Sequence, residues 1–159
     1  GLNWAIANRC EVISMSLGSQ SPVQAAYTHA GAAALRNGCL VIAAAGNAAT
    51  QTGAPANSPT VMSVASLDPN LSPSNFSNHG KIDIAAPGRD VFSSWPRPTR
   101  HKSISGTSMA APHLAGCAAL WAQSDASLRG RKLWEQLVAS AKLLPLPDTQ
   151  VGIGLVQAP

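Results

Sequence analysis

The sequence is short of charge, and shortest of acid. Only 11% of its 159 residues are charged, with 7 carboxylates against 11 lysines and arginines. No acidic cluster of the kind that holds calcium is present, and no cofactor or metal is called for. The net charge of +4 is mild. Its positive residues are scattered, apart from one local group at Arg97, Arg100, His101 and Lys102, and no basic stripe interleaved with aromatics appears. That argues against nucleic-acid binding. Long apolar runs are missing too: none approaches the roughly 20 residues a membrane span needs. A signal-peptide pattern is also lacking. The chain opens at Gly1 in a helical pattern without a start, so a truncated N-terminus is expected. The compartment stays open, with secretion expected ahead of the cytoplasm.

Cysteine is scarce. Cys10, Cys39 and Cys117 form no Cys-x-x-Cys pair and no metal-ligand spacing. Cys117 reads as a small core residue of an apolar helix. Cys10 and Cys39 each lead into a strand-like run. A disulfide joins them if those strands are parallel neighbours, or Cys10 pairs with a cysteine outside this sequence, or both stay free.

What the sequence does have is apolar, small-residue patterning, with 45% hydrophobic residues. That fits one compact domain. Residues 3–9 read as a helix end and 11–18 as a buried strand closing on Gly18. Ser21 can cap a helix with Pro22 at its first position, running to Arg36. Ala26, Ala30, Ala33 and Ala34 would form its packing face, and Asn37-Gly38 would stop it. Residues 39–45 form the next strand. Strand, helix and strand in that order make a right-handed parallel βαβ unit, and strands this apolar fit a sheet covered on both faces.

Beyond it, residues 48–59 read as a polar loop, 60–66 as a strand, and 75–78 as a turn. Residues 82–85 are a short extended piece broken by Ala86-Pro87-Gly88. Two short strands, 90–95 and 102–105, flank the basic loop. A helix follows to about Ser124, then a surface helix over 128–143 with Leu133, Leu137 and Val138 inward. Residues 152–156 form a terminal extended segment.

The chemistry concentrates at the start of the first of those last two helices. Ser105-Gly106-Thr107-Ser108 is a small-residue turn that delivers a hydroxyl to a helix N-terminus, where unpaired N–H groups favour negative charge. Either Thr107 or Ser108 could equally serve as a helix cap. A Ser nucleophile needs a base and donors for the oxyanion. Asn47 follows a parallel strand at its C-terminal end, where ligands bind in such sheets, and carries two uncharged donors. A turn Asn after Gly46 would look the same. No base is evident. His113 lies about 140° around the helix from Ser108 and suits packing better. His29 reads as a surface residue, while His79 and His101 fall in loops. A different Ser hydrolase would need a later His, and only His113 follows.

The run Gly106-Thr107-Ser108-Met109-Ala110-Ala111-Pro112-His113-Leu114-Ala115-Gly116 resembles the nucleophile segment of the subtilisin-like serine proteases. The segment Ala43-Ala44-Ala45-Gly46-Asn47 resembles their oxyanion-hole segment. That resemblance implies an α/β fold, a parallel sheet sandwiched by helices and truncated at its N-terminus. Residues 1–159 would be the C-terminal portion of a single peptidase domain. It further implies Ser108 as nucleophile and Asn47 as oxyanion donor beside the Ser108 N–H. Ser16, Leu17 and Gly18 would pair with an extended substrate, and Ala44, Ala45 and Gly46 would wall its first pocket, whose floor falls within 48–59. The family's Asp and His precede the matched region, so the partners implied are a peptide or protein substrate and a missing N-terminal segment. The activity implied is peptide-bond hydrolysis by a serine endopeptidase, with this chain alone inactive. The alternative is a non-catalytic pseudoprotease or peptide-binding remnant.

Overall fold

A computed structural model describes residues 1–159. Four parallel strands lie side by side in chain order: β1 (Val12–Met15), β2 (Leu40–Ala44), β3 (Met62–Leu67) and β4 (Ile84–Pro87). Helices α1 (Leu2–Ala7) and α2 (Ala25–Arg36) cover one face. Helices α3 (Thr107–Ser124) and α4 (Arg131–Ser140) cover the other. An antiparallel hairpin, β5 (Val91–Ser94) and β6 (His101–Ile104), precedes α3, and a short turn of helix, α5 (Asp148–Val151), lies near the C-terminus.

The layering follows from a period of two in strands that are apolar throughout. Leu40, Ile42 and Ala44 of β2 face α3 and α4, joined by Met62, Val64 and Ile84. Val41 and Ala43 face α1 and α2, beside Ala34 and Cys39. Fully buried side chains such as Ile42, Met62 and Leu114 each contribute about 1.5–3 kcal/mol. α3 crosses all four strands because its inner face is small: Ala110, Ala111, Ala118 and Ala122 are at most 1% exposed.

Several boundaries depart from the sequence expectation. α2 begins at Ala25, not Pro22, and Ser21 is not its cap. The Ser21 carbonyl accepts the Ala54 N–H (3.2 Å) and the Asn57 amide (2.9 Å), which hold the chain extended until Gln24. The buried face of α2 is Gly31 and Ala34, while Ala26 is exposed. β4 runs to Pro87, at a strand end where no ladder N–H is required. α4 starts at Arg131 because Gly130 sits at φ +53°, with the Leu35 carbonyl 2.4 Å from where a Cβ would be. It stops at Ser140, since Lys142 exchanges two backbone bonds of 2.9 Å with Leu155. The stretch read as a polar loop is instead largely buried at Thr52, Gly53, Ala54, Pro55, Ala56 and Ser58. The α5 turn was not anticipated.

Candidate active site

The cavity forms where the C-terminal ends of β1 and β2 meet the first turn of α3. It encloses about 380 Å³. Ser16, Leu17 and Gly18 line one side, Ala44, Ala45 and Gly46 the other, with Asn47 and Ser108 on its wall. All eight residues singled out in the sequence therefore share one cavity. Gly53 and Ala54 also line it, and none of its 13 lining residues is charged.

The residue the sequence left ambiguous, Thr107, organises the wall. It is fully buried. Its hydroxyl donates to Asn47 Oδ1 at 2.8 Å and accepts the Gly46 N–H at 3.1 Å. The Thr107 N–H also donates to Asn47 Oδ1, at 2.8 Å. Asn47, in the loop after β2, thus caps α3 from a distance; neither Thr107 nor Ser108 does, and Gly106 holds the cap position. With both bonds on Oδ1, the Asn47 Nδ2 hydrogens carry no protein partner. A Cβ on Gly106 would stand 3.3 Å from Asn47 Nδ2, tight enough to push the Asn47 side chain aside. The Ser108 N–H lies in the first helical turn, where no intrahelical acceptor exists. Two unpaired donors and a half-buried hydroxyl therefore share one uncharged cavity.

Pro112 couples this corner to the edge strand. Proline has no N–H, so the Ser108 carbonyl four residues earlier lacks its helical partner. The Ser16 hydroxyl supplies one at 2.8 Å. Ser108 Oγ itself is 3.5 Å from the Ser16 carbonyl, too long for a firm bond.

No histidine reaches Ser108. His113 is exposed, correcting the expectation of packing, and its Nδ1 lies 2.9 Å from the Met109 carbonyl. His101 stacks on Phe92, His79 lies near Gln51, and His29 is on the surface of α2.

Asn78 escaped the sequence reading, which took it for part of a turn. It is 1% exposed. Its Oδ1 accepts the Ala48 N–H (2.9 Å) and Thr50 N–H (3.2 Å), and its Nδ2 donates to the Ala45 (3.0 Å) and Gln51 (3.2 Å) carbonyls. It shapes the loop that carries Asn47. A Cβ on Gly46, at φ +111°, would stand 2.3 Å from Asn78 Nδ2. No local sequence signal marks this long-range role.

The family model described as Peptidase_S8, the subtilase family, matches residues 1–154. The chain belongs to the subtilase family. Subtilisin Savinase of Lederbergia lenta is 40% identical over 160 residues, covering 99% of this subtilase and 58% of Savinase. A thermostable alkaline protease of Halalkalibacterium halodurans is 39% identical over 163 residues, covering 99% and 44%. Among solved structures, a Pseudoalteromonas arctica protease superposes with a TM-score of 0.85 at 32% identity, covering 92% of this subtilase and 49% of that chain. The prenylagaramide maturation protease PagA gives 0.87 at 27%, covering 98% and 62%. The subtilase thus spans about half the length of the relatives it matches.

Proposed function

We propose that this chain carries the nucleophile, the oxyanion donors and the substrate walls of a serine endopeptidase, and that its base comes from residues outside this sequence. The observation that carries the reading is the Thr107 clamp on Asn47 Oδ1, which leaves Nδ2 free beside the Ser108 N–H. A peptide would lie extended between Ser16-Leu17-Gly18 and Ala44-Ala45-Gly46. Ser108 Oγ attacks its carbonyl carbon, and the oxygen, now negative, accepts hydrogen bonds from Asn47 Nδ2 and Ser108 N–H. A His oriented by an Asp takes the Ser108 proton and returns it to the leaving amine.

The place for that base is supported by two exposed features. β1 pairs only with β2, so its outer edge is open. Beside it, α3 exposes Pro112, Gly116, Ala119 and Leu120, with His113 among them and Gln123 and Ser124 at the far end. Apolar residues left exposed in the middle of a helix suit contact with further chain. Further chain docked there would lie against Ser16 and reach Ser108. Secretion is the setting this reading favours, and no helix is long and apolar enough to cross a membrane. The lack of a nearby histidine favours a second reading for the chain by itself, a peptide-binding remnant without catalysis.

The test is a chimera joining this chain to the part of Subtilisin Savinase that it does not match. Peptide hydrolysis is expected, lost in Ser108→Ala. Asn47→Ala should lower kcat by about 10²–10³ with little change in KM, a figure carried over from subtilisin, where this donor has been removed. A folded chimera that binds peptide and never cleaves it would favour the remnant.

A further inference from the structure

The two helix–strand junctions on the α1/α2 face are copies of one motif. In the first, Asn8 caps α1 at its C-terminus, Arg9 sits at φ +57°, and Cys10 follows. In the second, Asn37 caps α2, Gly38 sits at φ +76°, and Cys39 follows. The bonds match one for one. Arg9 N–H reaches the Ile6 carbonyl (3.0 Å) as Gly38 N–H reaches Leu35 (3.2 Å). Cys10 N–H reaches the Ala5 carbonyl (3.0 Å) as Cys39 N–H reaches Ala34 (2.9 Å). Both Asn side chains donate back four residues at 2.8 Å. These are paired Schellman endings, with a cysteine at the position that turns back toward its own helix.

The motifs feed neighbouring parallel strands. Val12 is in register with Leu40, and the Leu40 N–H donates to the Glu11 carbonyl at 2.8 Å. Cys39 is therefore level with Glu11, one residue from Cys10, at a strand spacing of about 4.8 Å. Cys39 packs with Ala34 and with Leu2 and Ile6 of α1, and the Cys10 sulfur lies close enough to act on the Cys39 thiol. Cys117, on α3, packs on the other side of the sheet. All three thiols are free in this structure.

We propose that Cys10 and Cys39 are a disulfide-forming pair, closed by a small-molecule disulfide such as oxidised glutathione. The half-buried Cys10 thiolate attacks the glutathione S–S bond, which breaks and releases one glutathione thiolate. Cys39 then attacks the Cys10 sulfur, a second glutathione thiolate leaves, and the two cysteine protons end on the two glutathiones. Two thiols are oxidised and one disulfide is reduced. The second step is the slow one. Burial first, and then the Cys10 sulfur alongside, push the Cys39 thiol up to about 11. The product fastens the edge strand, which leads into Ser16 in the cavity wall, to the fully buried β2. This pairing does not depend on the protease reading.

The experiment is exposure of the 159-residue chain to oxidised glutathione, followed by mass spectrometry. The intact mass should fall by about 2 Da, one disulfide without retained glutathione. Tryptic peptides spanning residues 10–36 and 37–81 should run linked until reduced. Cys117→Ser should keep the link and Cys10→Ser should lose it. The melting temperature of the oxidised chain should exceed that of the reduced one by about 5–10 °C. A stable glutathione adduct on Cys10 with Cys39 free, a link through Cys117, or no reaction would each overturn the proposal. All three readouts on the unsubstituted chain stand even if a variant fails to fold.

Discussion

The two edges of the sheet are finished differently. At β4 the chain closes its own edge: Ala85 N–H donates to the Gly154 carbonyl (2.8 Å) and Val156 N–H to the Ala85 carbonyl (2.9 Å). At β1 the outer edge pairs with nothing, and the neighbouring α3 exposes Pro112, Gly116, Ala119 and Leu120 around His113. The candidate site lies toward the open edge, at the ends of β1 and β2. Its Asn47 wall follows β2, which is paired on both sides. Its Ser16 wall follows the open-edged β1, tied across by a side-chain bond to the Ser108 carbonyl. Preorganised donors need a rigid frame, and the fully paired β2 supplies it. A group that must approach the nucleophile needs space, and the open side leaves it.

Substitutions can break either half of this contrast. Asn78→Ala should have the largest effect, because it orphans two N–H groups and two carbonyls around the Asn47 loop. We expect a loss of about 3–4 kcal/mol in urea unfolding. Gly154→Ala attacks the closed edge. The residue sits at φ +126°, and a Cβ would lie 2.2 Å from the Lys142 carbonyl. A loss of about 1–3 kcal/mol should follow, with faster amide exchange along β4. Ser16→Ala, on the exposed side, should cost no more than about 1 kcal/mol, because water can replace the lost donor. Its mark should be faster exchange in β1 with β4 unchanged.

The smallest effect concerns acid. The Ser74 hydroxyl, and after it Arg89, hold the Asp68 carboxyl below its ordinary value. A depressed carboxylate stabilises the fold above about pH 4, and that stability is lost as pH falls further. Asp68→Asn should flatten the decline in stability below about pH 4, read by urea unfolding across pH.

The sequence showed the βαβ unit, the parallel sheet and the Ser108 helix because apolar periodicity and Gly stops are local signals. Ser108 and Asn47 came to notice through local chemistry and then motif resemblance, and the six wall residues through resemblance. What it missed was held by distant partners. Ser21 looked like a cap until the 54–57 segment claimed its carbonyl. Asn78 gained its role from backbone groups about 30 positions away, and Thr107 from the Gly46 N–H and the Asn47 side chain about 60 positions away. The buried 52–58 stretch read as polar because its small residues pack against the chain near Ser19 and Ser21 rather than forming an apolar run.

The most direct test of the proposal that Ser108 and Asn47 form a nucleophile and donor without a base in this chain is the reaction of the 159-residue chain with a fluorophosphonate. The account predicts labelling of Ser108 no faster than that of a surface serine, indistinguishable from the Ser108→Ala background. Rapid, stoichiometric modification of Ser108 would contradict it, because a base would then have to lie within this chain.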